Sequence, residues 1–316
     1  MSLLNNQLEN KNIHRFSHQA MATIFEIIIV LDDKDYGEQA AAAVFTEIDR
    51  LEDELSRFHP NSDIAKLNSL SIGEELRLSQ DAFDSLKAAN HIYNITNGIF
   101  DITAGNVIDR WKNKEEWDTK KEDDFASQNI GMDKIIIDEL NHSLNILSND
   151  LLIDLGGFGK GYAIDVTCEL LEEWGIENAL IHSGGSTVKG IGNLEGFDGW
   201  PISISNPSNP SQTIAEIVLQ NNSLSGSGLQ KGKHIINPKT NLPVDNCSGA
   251  WAIAESAATS DAMSTAFMIM QTDEISDFCS NYDFVSGLVV LKDIDSVTKD
   301  DIFISNNFKT NKLLIG

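Results

Sequence analysis

The stretch LLIDLGGFGKGYAIDVTCELLEEWG, residues 151–175, carries the architectural signal of this sequence. Leu151 to Ile153 read as a short apolar strand, the glycines from Gly156 to Gly161 as a turn, and the residues up to Trp174 as a helix closed by Gly175. A strand that runs through a glycine-rich turn into a helix exposes backbone N–H groups. The partial positive charge of the helix N-terminus lies behind them and Lys160 adds a full charge, so the segment suits an anion. It is not a Walker A loop, which would need Gly at 154 and Ser or Thr at 161, where Asp154 and Gly161 stand; nor is it GxGxxG. A tight strand-to-helix turn accounts for the same glycines equally well.

Working outward, residues 22–31 (ATIFEIIIVL) are β-branched and aromatic and predict a strand. Ala41, Val44, Phe45, Ile48, Leu51 and Leu55 recur at three- and four-residue spacing, which predicts a helix over about 36–58. A second helix is expected from Ser79, whose hydroxyl suits an N-cap, to near Gly98. The charge-rich residues 111–128 read as a surface excursion, followed by short strands at 134–138 and 144–147. Downstream, 178–228 predict several short strands joined by Gly, Asn and Pro turns, then a helix over about 259–271 and further short strands. Strands and helices without strict βαβ alternation favour α+β over a doubly wound sheet. The expected organisation is an N-terminal extension, 1–20, and one domain, 21–316, of two closely packed lobes dividing near 150.

Composition restricts the partners. Lys and Arg total 23 against 48 Asp and Glu, a net charge of -25. Such a surface repels phosphate backbones and anionic headgroups, which argues against nucleic acid and membrane surfaces. An anionic ligand must then be met by a metal ion, by backbone N–H groups or by a few placed cations. Cys168, Cys247 and Cys279 match no zinc spacing and read as packing residues. The longest apolar near-run, Ile24–Leu31, is interrupted by Glu26, and Met1–Arg15 holds no apolar signal region and no lipobox cysteine. The chain as given therefore reads as soluble, and as cytoplasmic unless a signal segment has been removed from it.

Three further clusters could carry chemistry. Asp261 and Thr265, at i and i+4 with Ser264 beside them, place a carboxylate and hydroxyls on one helix face, a donor set for a hard cation such as Mg²⁺. Taken alone, the pair reads more plainly as a helix-terminal carboxylate and a packed threonine. In HIINPKTNLP, 234–243, His234 stands before a rigid Asn-Pro corner and is a candidate for proton transfer; a structural histidine is the plainer reading. HSGGS, 182–186, reads as a loop of close backbone approach, with turn geometry as its rival.

Taken in order, these segments resemble the ApbE family, the FAD:protein FMN transferases. The resemblance runs from about Met21 to Met270. It rests on Met21-Ala22-Thr23, Leu55-Ser56-Arg57-Phe58, Gly98-Ile99-Phe100-Asp101-Ile102-Thr103, DLGGFGKGYAID (154–165), HSGGS, Asn206-Pro207, HIINPKTNLPV and ATSDAMSTAF (258–267). It implies a T-fold-related α+β architecture with FAD in a cleft between the lobes. By that resemblance Met21, Phe58, Ile99, Phe100, Asp101, Asp154, Lys160 and Ile236 would contact FAD. Mg²⁺ would be held by the Gly157 carbonyl, Asp261 and Thr265, with Ser264 as a further candidate, and His234 and Asp261 would serve catalysis. Asn237 and Ser186 stand where the family usually has other polar residues.

The implied reaction moves FMN from FAD to a Ser or Thr hydroxyl of an acceptor flavoprotein subunit and releases AMP. Water in place of that hydroxyl would make an FAD pyrophosphatase. A flavin-binding protein without turnover is the reading from a different class.

Overall fold

The computed structural model describes residues 2–3, 12–113, 119–230, 232, 235–292 and 294–315. The chain divides into two compact units. One comprises residues 1–49, 160–230 and 246–316; the other comprises 50–159 and 231–245.

The first unit is built on an eight-stranded antiparallel sheet. In spatial order its strands are Ile302–Ile304, Val285–Val290, Gly249–Ala254, Asn222–Gly228, Thr187–Ile191, Ala179–Ser183, Thr23–Val30 and Ile13–Ala20. The apolar run of residues 23–30 follows from this position, because both faces of that strand are covered. Phe25, Ile27 and Ile29 pack with Ala41, Val44 and Ile48 of the helix Lys34–Leu55 and with Ile164, Cys168 and Leu171 of the helix Gly159–Glu173. Ile28 faces the other way, into a cluster with Trp200, Ile202, Ile217 and Leu219. Those residues belong to a second, four-stranded sheet ordered Ser2–Leu3, Trp200–Ser205, Thr213–Leu219, Lys312–Leu313. A strand sandwiched on both faces reads as continuous rather than alternating.

Within the expected N-terminal extension, residues 13–20 are sheet. Ile13–Ala20 pairs along its whole length with Thr23–Val30. Its sequence, IHRFSHQA, hides this: at the sheet edge Arg15, Ser17 and Gln19 are exposed, and only Ile13, Phe16 and Ala20 are apolar.

The second unit contains a three-stranded antiparallel sheet, Glu75–Arg77, Ser143–Ile146 and Ile135–Asp138. The helix Gln80–Ile95 begins where expected, with Ser79 Oγ accepting from Ala82 N at 3.4 Å. Of the charge-rich segment, residues 111–112 end the helix Gly105–Lys112 and residues 119–128 lie in the helix Thr119–Asn129, while 114–118 fall outside the described residues. Val107, Ala126 and Ile236 share a small core beneath them. The strand expected at 151–153 does not form. Leu152 makes a single parallel bridge to Ala104, and the Asn68 side chain takes both backbone groups of Ile153, at 2.7 and 2.9 Å. A side-chain amide thus replaces a strand partner. The chain between the units follows no single division near 150; it crosses after Asp49, Gly159, Gln230 and Asp245.

Candidate active site

In the first unit Lys160 and Gly161, near the start of the helix Gly159–Glu173, and the late helix, Ala257–Ile269, are locked together by backbone proximity. A Cβ on Gly161 would lie 2.2 Å from the Ala257 carbonyl oxygen, so only glycine permits this approach. One turn further on, Asp165 caps the late helix from outside it. Its carboxylate accepts from the N–H groups of Ala257 and Ala258 at 2.8 and 2.9 Å, from Ser256 Oγ at 2.7 Å, and from Lys189 Nζ at 2.6 Å. Free N–H groups and the helix dipole both favour an anion there. Burial opposes the Lys189 charge, but Asp165 beside it, with Cys168 and Glu169 adding to its pull, offsets this and the lysine pKa stays above its ordinary value.

This docking brings Asp261 against Lys160 and Gly161. Asp261 is buried, with Oδ2 at 3.3 Å from Gly161 N and 3.5 Å from Lys160 Nζ. Both distances exceed the ~2.7–2.9 Å of a strong charge-assisted bond, so the carboxylate holds its donors loosely. Ser264 Oγ donates to the Asp261 carbonyl at 2.9 Å, and Ser227 Oγ lies 2.8 Å from Ser264 Oγ and 3.2 Å from Thr265 Oγ1. Asp261, Ser264, Thr265 and Lys160 therefore form one oxygen-rich cluster. Among the described residues no group of three or more His, Cys, Asp or Glu could hold a metal ion. A hard cation at Asp261 would draw on hydroxyl, carbonyl and substrate oxygens, which is a donor set that suits Mg²⁺.

Met21 belongs to this unit too, at the hairpin tip that joins the edge strand Ile13–Ala20 to its neighbour Thr23–Val30. Met21 and Ala22 have φ of 49° and 56°, the left-handed pair that a two-residue hairpin of this twist demands. Neither is glycine, so the tip is strained by an amount on the order of 1 kcal/mol per residue.

The second unit gathers another group. Arg57, only 10% exposed, presents its fork to Asp109, with Nη1 and Nη2 each 2.8 Å from a carboxylate oxygen. Its Nε lies 3.2 Å from Asp154 Oδ2, an ion pair whose N–H is not aligned for a hydrogen bond. The hydrogen bond to Asp109 raises the Arg57 pKa further, and Arg57 in turn lowers that of Asp109. Asp154 Oδ1 accepts from Gly156 N at 2.8 Å, which orders the start of the glycine turn ahead of Gly157. Asp154 N donates to the Ile102 carbonyl at 2.8 Å, so the Ile99–Phe100–Asp101 segment runs beside it. Phe58 is 76% exposed, with the Arg57 guanidinium 4.6 Å from its ring centre.

Asp101 is held locally. Its Oδ1 accepts from Thr103 N at 2.8 Å and Thr103 Oγ1 at 2.6 Å. Desolvation nevertheless pushes its pKa up to about 6 against the opposing pull of the Thr103 bonds, with Asp133 adding a like charge. Ile99 and Phe100 are buried, as is Ile236. A cavity of 490 Å³ in this unit, lined by Asp53, Glu54, His59, Asp63 and their neighbours, contains none of the expected site residues. Its carboxylates already receive Ser79, Lys66 and His59.

The model of the ApbE family matches residues 21–287. The chain belongs to the ApbE family. The FAD:protein FMN transferase of Vibrio cholerae serotype O1 is 28% identical over 246 residues, spanning 71% of this chain and 72% of the relative. The protein of the same name from Buchnera aphidicola subsp. Schizaphis graminum is 30% identical over 246 residues, 71% of each chain. Among solved structures, the ApbE protein from Thermotoga maritima matches with a TM-score of 0.81 at 24% identity, over 93% of this chain and 97% of that one. The α+β fold expected from the sequence is the fold that these family structures share.

Against the sequence expectations, the cluster of Asp261, Ser264, Thr265 and Lys160 is assembled in one unit, and Asp154 lies next to the segment bearing Asp101 in the other. His234 falls outside the described residues. Sequence reasoning gave no role to Arg57, Asp109, Asp165 or Ser227. Arg57 and Asp165 stand inside the family-like blocks, but their partners lie far away along the chain.

Proposed function

We propose that this ApbE-family chain transfers FMN from FAD to a Ser or Thr hydroxyl of an acceptor flavoprotein subunit, with Mg²⁺ as the required ion and AMP as the second product. The carrying observation is Asp261, a buried carboxylate with loosely held donors and hydroxyls beside it, in a protein of net charge -25. Such a protein repels a dinucleotide phosphate unless a cation is added. Mg²⁺, when bound, supplies charge neutralisation at the phosphates and at the departing AMP oxygen.

The chain's own groups do the rest. Asp261 and Thr265 offer hard oxygens to the ion, with Ser264 orienting them through the Asp261 carbonyl and Ser227. Gly157, three residues ahead of Lys160 in the sequence, contributes a backbone carbonyl. Lys160 adds a fixed positive charge at the phosphates. Met21, Phe58, Ile99, Phe100, Asp101, Asp154 and Ile236 are assigned to the flavin dinucleotide. The acceptor oxygen forms a bond to the FMN-side phosphorus as that phosphorus loses its bridging oxygen to AMP. The hydroxyl proton leaves to a base, for which His234 is the candidate.

The test is to incubate the chain with FAD, Mg²⁺ and a candidate acceptor domain and weigh the acceptor. A gain equal to FMN is expected, and AMP release without any gain in acceptor mass overturns the transfer reading. Asp261→Ala should lower turnover by at least about 100-fold and remove its response to added Mg²⁺. Full, Mg²⁺-responsive activity in that variant removes the metal assignment.

A further inference from the structure

Phe58 presents a physical puzzle. It is 76% exposed, well above Phe284 at 43% and Tyr36 at 40%. A ring left in water forgoes the stabilisation of burial. Yet the ring is oriented, because the Arg57 guanidinium sits over it at 4.6 Å. That guanidinium cannot wander. Both terminal nitrogens are fixed on Asp109, Nε faces Asp154, and the side chain is nine-tenths buried. The planar fork makes this arrangement possible, since one flat group satisfies a carboxylate along its edge and an aromatic ring across its face. Arg57 also meets the carboxylate that orders the glycine turn at Gly156.

We infer that Arg57 is a positioning residue for the flavin dinucleotide: it fixes the Phe58 ring from its inner side and leaves the outer face presented to the ligand. The inference rests on the function proposed above. Arg57 itself touches no ligand; it acts through Phe58. A lysine at 57 keeps the charge but loses both the fork and the flat face, which separates positioning from simple charge neutralisation.

The experiment measures the Kd for FAD by equilibrium dialysis, and the visible circular dichroism of bound FAD, for the full chain and for Arg57→Lys, Phe58→Ala and the double variant. Arg57→Lys should weaken FAD binding about 10-fold and alter the flavin dichroism. In the Phe58→Ala background the same change should move Kd less than about 2-fold. A merely structural role would show in the melting temperature and would add to Phe58→Ala rather than merge with it. Should Arg57→Lys fail to fold, Asp109→Asn carries the same test, with a smaller loss of affinity that also vanishes in the Phe58→Ala background. Unchanged affinity in Arg57→Lys, or an equal loss in both backgrounds, overturns the inference while the functional reading stands. A parent chain that does not bind FAD at all overturns both.

Discussion

The two regions that carry the site residues are held by different physics. Around Asp261 the constraints are backbone ones: a glycine where a methyl group would strike a carbonyl, and a carboxylate feeding on helix N–H groups. Around Arg57 they are side-chain ones: a fork on Asp109, an ion pair to Asp154, a ring under a guanidinium. Backbone constraints admit no small adjustment, because moving one atom moves a helix. Ion pairs and stacked rings give way by rotating bonds. The first region should therefore respond to substitution by loss of fold, and the second by changes in affinity and pH response.

The strongest test of that contrast is Asp165→Asn. An amide cannot accept from both backbone N–H groups, Ser256 and Lys189 together, and it leaves a mostly buried ammonium without its counter-charge. A loss of about 3–5 kcal/mol in unfolding free energy is expected, read by chemical denaturation. A variant as stable as the parent would show that the late helix does not depend on this carboxylate. Next comes Gly161→Ala, where the added methyl must push the two helices apart; about 3 kcal/mol should be lost in the same measurement.

Asp101→Asn probes the softer region and should have the smallest effect, with the opposite sign. The folded-state pKa of Asp101, about 6, lies above its unfolded value, so its contribution to stability is full below about pH 4 and is lost as pH rises through 6. Asparagine keeps an oxygen for Thr103 and carries no charge. At pH 7.5 the variant should exceed the parent in stability by about 1–2 kcal/mol, discounted for the partial exposure of the residue, and the two should converge near pH 4. Parallel stability curves across that range would refute the assignment.

Much of the architecture was legible because local signals agreed with tertiary ones. The run at 23–30 is apolar on both faces because both faces are covered, and Ser79 caps the helix that its hydroxyl announced. The edge strand at 13–20 was not legible, since exposure of one face left it a mixed composition. The segment 151–153 misled in the opposite direction: its apolar side chains are buried or partly buried, but its hydrogen bonds go to Asn68 rather than to a full strand partner. In the candidate site, the i, i+4 spacing placed Asp261 and Thr265 on one helix face, and only the family resemblance gave them an ion to hold. Asp165 and Arg57 were not, because what defines them is a partner: Ser256 and its helix for one, Asp109 for the other. Spacing rules reach about one helical turn, and these contacts lie far beyond that.

The order of strands in the large sheet also bears on how the chain emerges from a ribosome. Thr23–Val30 is made early, yet its inner neighbour, Ala179–Ser183, follows roughly 150 residues later. At about 5–20 residues per second, the strand waits on the order of ten seconds with only its hairpin partner and the helix Lys34–Leu55 for cover. Meanwhile residues 50–159 of the other unit are complete except for the short return at 231–245 and can collapse first. During that interval the nascent chain carries an apolar strand with one face and one edge uncovered, and slowed translation across 30–179 should raise its demand for chaperones.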